Sequence, residues 1–423
     1  MTAYWAERAL LPGGVARWVR FEVDADGTFA SVEAEVARAD APAVVLNGLV
    51  LPGLVDSHSH AFHRALRGRA AGGDFWAWRT GMYLLVDRLD PELLLALASA
   101  AFGELLLAGV TTVHEFHYLH SPQGMDDAVC EAARRAGIRL VLLDTCYLRA
   151  GFDAAPLDPA QVRFSDGDVD RWAARAEKVA AANADVTVGA AIHSVRAVDA
   201  DSMEVVAAWA RDRGVPLHLH VSEQPGENVA CRAATGRTPT ELAAERGVLG
   251  PATVAVHATH VTARDVELLG QHATAVCVCP TTERDLADGV GPAAALRDAG
   301  CPLRLGTDSH AVVDLFEEAR AVELDERLVE RRRGIHQPAA LLEAATGGAS
   351  LRAGEPADLC VLDLDGVRLA GLDPDDPVPM LVAAASAADV TDVVVGGRHV
   401  VQAGAHAELD VAAELRAAIE AVR

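Results

Sequence analysis

The stretch Leu51–His60, LPGLVDSHSH, decides the fold. Pro52 and Gly53 punctuate its start, an apolar run follows, and two histidines separated by one residue close it. Residues i and i+2 of an extended chain project to the same side, so the imidazoles of His58 and His60 can reach one ion. A His-x-His pair is weak evidence alone. Its weight depends on what the rest of the chain brings to the same rim.

Downstream, apolar strand candidates alternate with Ala/Leu/Arg-rich helical stretches. Eight strands are expected: Gly53–Ser57, Thr111–Phe116, Leu140–Cys146, Val186–Ile192, Leu217–Val221, Thr253–His257, Ala273–Cys279 and Leu303–Thr307. Several are near-continuous apolar runs, as befits parallel strands buried on both faces. Helical periods at Pro91–Ala108, Asp168–Ala182 and Ser202–Arg213 lie between them. Eight β/α repeats in roughly 300 residues is the arithmetic of a (β/α)8 TIM-type barrel. A doubly wound sheet is the structural alternative, but no G-x-G-x-x-G motif opens a helix. Short strand candidates also occur before the barrel (Val15–Phe21, Ala30–Val36, Ala43–Leu49) and after it (Asp358–Leu362, Asp392–Val395, His399–Val401). A helix over Glu408–Val422 closes the chain. The expected organisation is an α/β barrel over 51–350 and a small β-sandwich domain built from both chain ends, 1–50 and 351–423.

The bulk composition narrows the function classes. The chain has 423 residues, 51% of them hydrophobic, enough for a large core. No apolar run reaches the length of a membrane span. Met1–Leu11 lacks a signal-peptide pattern, so a cytoplasmic enzyme is expected. A net charge of -24 repels phosphate backbones and argues against a nucleic-acid partner. The seven cysteines are scattered through apolar runs and read as buried thiols, not a disulfide framework. Barrels of this kind often dimerise, so a homodimer is expected.

On this strand map His58 and His60 follow the first barrel strand, His220 ends the fifth, His257 the sixth and Asp308 the eighth. Carboxyl ends of barrel strands converge on one face, where active sites lie. His58, His60, His220 and Asp308 supply three nitrogens and one carboxylate oxygen. That set suits Zn²⁺ or Fe²⁺ and leaves a position for water.

The motifs LPGLVDSHSH, HLHVSE (His218–Glu223), VHATH (Val256–His260) and GTDSH (Gly306–His310) resemble, in order, those of the amidohydrolase superfamily. Binuclear members usually bridge two metals with a carboxylated lysine ending strand four. Here strand four ends near Ala191–Ser194 without one, and Lys178, the only lysine in the chain, lies in the preceding helix. The resemblance therefore implies a single ion. A bound divalent ion activates water. Asp308 can take the water's proton, His257 can hold and polarise the hydroxide, and Glu223 can carry protons to a substrate nitrogen.

Within the superfamily, HSHAFHRALRGR (His58–Arg69), FWAWR (Phe75–Arg79), EFHYLH (Glu115–His120), HSVRAV (His193–Val198) and CPTTE (Cys279–Glu283) resemble the formimidoylglutamate deiminases of histidine degradation. This implies hydrolysis of N-formimidoyl-L-glutamate to N-formyl-L-glutamate and ammonia. It also implies that Arg79, Tyr118, His193 and Arg196 bind substrate, with arginine forks suited to a dicarboxylate. His63 stands where the family commonly has Gln; both offer a hydrogen-bond donor.

Other polar groups are set aside. His114, Glu115, His117 and His120 look like a second metal cluster, but strand alternation is expected to split them between faces. His218 is left out of the site, and His310 is expected beside it as a supporting partner. Cys277 and Cys279 are expected to fill core space, and Arg331–Arg333 to form a solvated helix face. Two other functions compete: deamination of a guanine-, pterin- or adenosine-like ring, and a barrel that has lost its chemistry and serves as a binding module.

Overall fold

A computed structural model describes residues 2–38, 43–69, 72, 75–153 and 155–423. Two eight-stranded sheets account for its strands. The first is parallel throughout and runs in chain order: β5 (Leu54–Ser59), β6 (Val110–His117), β7 (Arg139–Cys146), β8 (Thr187–Ser194), β9 (Leu217–Val221), β10 (Thr253–His257), β11 (Ala275–Val278) and β12 (Leu303–Leu305). The ends meet through a parallel bridge between Ser59 and Asp308. His60 N–H donates to the Asp308 carbonyl and Asp308 N–H to the His58 carbonyl, each at 2.9 Å. Sequential order with closure is a barrel, which rules out the doubly wound alternative.

Closure requires a glycine. A Cβ on Gly306 would sit 2.6 Å from the His58 carbonyl oxygen, so any side chain there would force apart the seam that carries the predicted ligands.

Around the barrel stand helices that begin as their sequences dictate. Asp90 caps Pro91–Leu107 by accepting from Leu93 N–H, and Asp168 caps Val169–Ala182 through Arg171 N–H. The helix Pro91–Leu107 is apolar nearly all round. It packs on the barrel with one side, while Ala100 on another meets Val411 and Leu415 of the closing helix Val411–Ala421. No helix among the described residues is long and apolar enough to cross a membrane.

The second sheet is mixed and draws on both chain ends. It comprises β1 (Thr2–Leu11), β2 (Gly14–Val23), β3 (Phe29–Glu33), β4 (Val44–Pro52), β13 (Leu359–Leu362), β14 (Val390–Val395), β15 (Arg398–Gln402) and β16 (Ala405–His406), in the order β16-β15-β14-β13-β4-β1-β2-β3. Tyr4, Phe21, Phe29, Leu46, Leu359 and Val394 share its apolar core. β1 is absent from the strands expected from sequence. Charged Glu7 and Arg8 interrupt its apolar pattern, although Ala6 and Ala9 beside them are fully buried.

Other departures are local. His58 is part of β5 rather than beyond it. Arg79, which a sequence without a clear helical period there leaves in the long connection after the first barrel strand, belongs to the helix Phe75–Val86. Arg331–Arg333 are exposed as expected but lie past the end of the helix Leu315–Glu330, with Arg331 in the left-handed region.

Candidate active site

The carboxyl ends of β5, β9, β10 and β12 bring the predicted ligands to one point. His58 Nε2 and His60 Nε2 each lie 3.5 Å from Asp308 Oδ1. His220 Nε2 lies 3.1 Å from His58 Nε2, and His257 Nε2 lies 3.7 Å from Asp308 Oδ2. All five residues are buried.

Hydrogen bonds on the far side of the rings orient them. Nδ1 of His60 donates to the Phe116 carbonyl and Nδ1 of His220 to the His193 carbonyl, both at 2.9 Å. Each bond fixes the tautomer that leaves Nε2 as a lone pair facing its neighbours, the usual support of a metal-binding histidine. Burial pushes His58, His60 and His220 below the ordinary imidazole value, so the rings stay neutral. Imidazole lone pairs crowded against a carboxylate repel one another until a cation sits among them. The donor set fits a divalent ion. Among the described residues no lysine joins it: Lys178 lies in the helix Val169–Ala182, and β8 ends at His193–Ser194.

Strained backbone aims several of these groups. Ser222, His257, Ala258, Asp308 and His310 all adopt positive φ, between 45° and 68°. Non-glycine residues held there cluster at functional sites. The turn at Ser222 follows His220 and presents Glu223, whose Oε1 lies 3.8 Å from His257 Nε2.

Electrostatics separates the roles. Burial pushes the Glu223 carboxyl up to about 7, with Asp308 and Glu283 adding to it against His257 and Arg196. Asp308 goes the other way, to about 2: burial opposes its charge, but His58, His257 and His63 outweigh it. Burial also opposes charge on His257, yet Glu223, Glu283 and Asp308 raise it well above the ordinary value.

A cavity of about 320 Å³ opens beside this cluster, and His63, Arg79, Tyr118, His193 and Arg196 all line it. Arg79 stacks over the Trp76 ring at 4.5 Å and also faces Tyr83 at 5.5 Å. Arg196 donates to the Ala150 carbonyl at 2.9 Å and to the Tyr147 hydroxyl at 3.3 Å. The His193 ring packs edge-on to Tyr147 with centroids 4.7 Å apart.

Several groups escape the sequence reading. Glu283 Oε1 lies 3.3 Å from His257 Nδ1 and accepts from Cys279 N–H at 3.0 Å. Glu227 lines the cavity next to Arg196, and burial lifts its carboxyl to about 7. Tyr147, Phe164 and Gln224 complete that wall. The only sequence signal for Glu227 is its place four residues after Glu223 in EQPGE.

The residues set aside fall into place. His310 donates or accepts at Ser59 Oγ, 2.9 Å away, and that hydroxyl donates to Glu115. His218 points into the barrel below the cluster, where its Nε2 lies 3.5 Å from His114 Nδ1. Cys277 and Cys279 are buried free thiols, but Cys279 also borders His257 and Asp308. His117 and His120 are not split apart as alternation suggests: they meet at Asp126, outside the barrel.

Comparisons with known proteins agree with this geometry. The Amidohydrolase family profile matches residues 49–400, and that of the "Formimidoylglutamate deiminase HutF, N-terminal domain" matches residues 1–42. A formimidoylglutamate deiminase of Pseudomonas aeruginosa is 37% identical, covering 96% of both chains. An 8-oxoguanine deaminase of the same organism is 32% identical over 86% of this chain and 85% of its own. Among solved structures, an amidohydrolase from Brucella melitensis superposes with a TM-score of 0.90 at 29% identity, covering 100% of both chains. An adenosine deaminase from Xanthomonas campestris, solved with bound zinc, shares the fold with a TM-score of 0.87 at 24% identity, over 99% of this chain and 97% of its own. The closed parallel barrel, the histidines and aspartate at its rim and a profile spanning most of the sequence lead to one conclusion: this chain belongs to the amidohydrolase family.

Proposed function

We propose that this chain is a metal-dependent deiminase that hydrolyses N-formimidoyl-L-glutamate to N-formyl-L-glutamate and ammonia. The observation that carries this reading is the pair Arg79 and Arg196 lining the same cavity as Glu223, His257 and Asp308. Two guanidinium groups beside a hydrolytic centre suit a substrate with two carboxylates. A strongly acidic protein needs such local positive charge to hold a dianion. The 37% identical deiminase of Pseudomonas aeruginosa supports the same substrate.

His58, His60, His220 and Asp308 hold one divalent ion in this reading, Zn²⁺ foremost and Fe²⁺ next. The ion supplies Lewis acidity, which makes a water molecule acidic near neutral pH. Asp308, the most acidic carboxyl of the site, accepts the proton of the attacking water. His257 hydrogen-bonds the nucleophile, its ring held by Glu283 on the other side. Glu223, half-buried with its carboxyl near neutrality, gives a proton to the formimidoyl nitrogen as the carbon becomes tetrahedral and helps ammonia depart. Arg79, Arg196, Tyr118, His193 and His63 bind the glutamate portion and set its distance from the reacting carbon.

Ammonia release from a panel tests this reading. N-formimidoyl-L-glutamate should turn over with kcat/KM at least about a hundredfold above guanine, 8-oxoguanine, pterin and adenosine substrates, a gap of about 2.7 kcal/mol. A ring substrate preferred over the formimino compound would overturn the assignment.

A further inference from the structure

We propose that the chain holds a second divalent-metal site, built from His117, His120 and Asp126 and separate from the catalytic cluster. β6 ends at His117. Phe116 turns inward onto His58, His60 and His220, whereas His117 turns outward toward the helix Met125–Ala136. The short connection after β6 then brings His120 and Asp126 back to it. Asp126 Oδ1 lies 2.9 Å from His120 Nδ1 and 3.6 Å from His117 Nε2. One ligand atom from each of the three residues lies within 4.8 Å of the other two. Their exposures are 1%, 8% and 6%, so all three are sealed from solvent.

The orientation of the rings points to a cation. His120 Nε2 lies 2.9 Å from the Thr145 carbonyl, which can only accept. The proton of a neutral ring therefore sits on Nε2, and Nδ1 turns a lone pair toward Asp126. His117 is bonded to the backbone at Leu119, while its buried Nε2 has no hydrogen-bond partner and faces the same carboxylate. Asp126 Oδ1 accepts from Arg175 at 3.0 Å, but the two imidazole lone pairs that face the same oxygen have no donor of their own, which is unfavourable as it stands. They are the first coordination sphere of a borderline divalent ion, and a backbone carbonyl behind a ligating imidazole is its usual support.

Charge balance agrees. Arg175 donates to Asp126 at 3.0 Å, to Asp144 at 2.7 Å and to Asp166 at 2.8 Å. Three carboxylates around one guanidinium leave an excess of two negative charges in a largely buried place, which a divalent ion offsets. The competing arrangement is a metal-free ion pair with His120 doubly protonated. A metal there would tie the end of β6, just before the cavity residue Tyr118, to the helix that begins at Met125.

Metal content separates the two. Protein grown with zinc and passed through gel filtration should carry two zinc ions per chain by plasma mass spectrometry. His117→Gln should carry one, and the His58→Gln/His60→Gln double variant should also carry one. A wild type with one zinc and a double variant with none would overturn the proposal. Should His117→Gln fail to fold, anomalous scattering at the zinc edge from wild-type crystals decides. A peak between His117 Nε2, His120 Nδ1 and Asp126 Oδ1 supports the site, and its absence from crystals with zinc at the catalytic cluster rejects it.

Discussion

His63 Nε2 lies 2.8 Å from the Tyr118 hydroxyl oxygen, and both side chains are buried in the wall of the cavity. Burial pushes His63 down to about 3, so its ring is neutral and carries one N–H. Nε2 and the Tyr118 hydroxyl share one hydrogen bond, in which either the ring N–H or the hydroxyl donates; the hydroxyl also lies 3.8 Å from Met82 Sδ. His63 thus presents a neutral ring, with one N–H and one lone pair, steadied by Tyr118 in the cavity wall. A glutamine there also offers a donor and an acceptor. His63→Gln should keep kcat and KM for formimidoylglutamate within about threefold. His63→Ala should raise KM about tenfold, the worth of one hydrogen bond. Steady-state kinetics checks both; an alanine variant with unchanged KM would remove His63 from substrate binding.

The two arginines differ in how they are held, and this sets their expected effects. Arg196 is anchored by the Ala150 carbonyl and the Tyr147 hydroxyl, while Arg79 rests on aromatic faces. A fixed guanidinium loses little freedom on binding a carboxylate. Arg196→Ala should raise KM for formimidoylglutamate by about 10- to 150-fold, the range for a charged hydrogen bond of about 1.5–3 kcal/mol. Arg196→Lys should recover only part, because the planar fork is lost. Equal KM values for wild type and Arg196→Ala would mean that no substrate carboxylate meets this residue.

Glu223 gives the site a pH signature. Burial is the largest influence on its carboxyl and raises it to about 7. The group is protonated below that pH and ionised above it. As the donor to the departing nitrogen it is active when protonated, so kcat/KM should decline as pH rises through about 7. Glu223→Gln should lose about 10²–10⁴-fold in kcat, the usual contribution of general acid catalysis, and its residual activity should lack that limb. A variant that keeps the limb would assign it to another group.

Much of this arrangement is legible in the sequence for a physical reason. Strands buried on both faces must be apolar along their length, so β7, β8 and β9 stand out, and the polar residues that end them stand out more. His58, His220, His257 and Asp308 are conspicuous because a charged or imidazole side chain at the end of an apolar run needs a purpose. Groups that reach the site from helices are not marked this way. Glu283 sits in the helix Pro280–Asp285, where CPTTE marks the family resemblance but nothing in the pattern gives the carboxylate a role, yet it crosses to His257. His117 and His120 defeat the alternation rule because the strand ends between them: period two applies up to His117, and the connection beyond it folds His120 back. β1 hides for the opposite reason, since this inner strand of the mixed sheet carries an exposed Glu7 and a half-buried Arg8 while Ala6 and Ala9 stay inside.

Metal removal tests the catalytic centre directly. Burial holds His58, His60 and His220 below the ordinary imidazole value, so protons compete weakly for their Nε2 lone pairs. The catalytic ion should therefore persist on acidification past pH 6.5, where free imidazoles begin to protonate. A chelator strong enough to strip it at neutral pH should abolish ammonia release, and zinc should restore it with a titration that saturates at one ion per chain for turnover. Binding to the folded state alone should also raise Tm, since a ligand about a thousandfold above its Kd contributes about 4 kcal/mol. His220→Ala removes the ring whose Nε2 lies 3.1 Å from His58 Nε2 and leaves the centre short of a ligand. That variant should stay inactive at zinc concentrations that saturate the wild type, while circular dichroism reports an intact barrel. Full turnover by a chelated, metal-free preparation would mean that water is activated by the side chains alone.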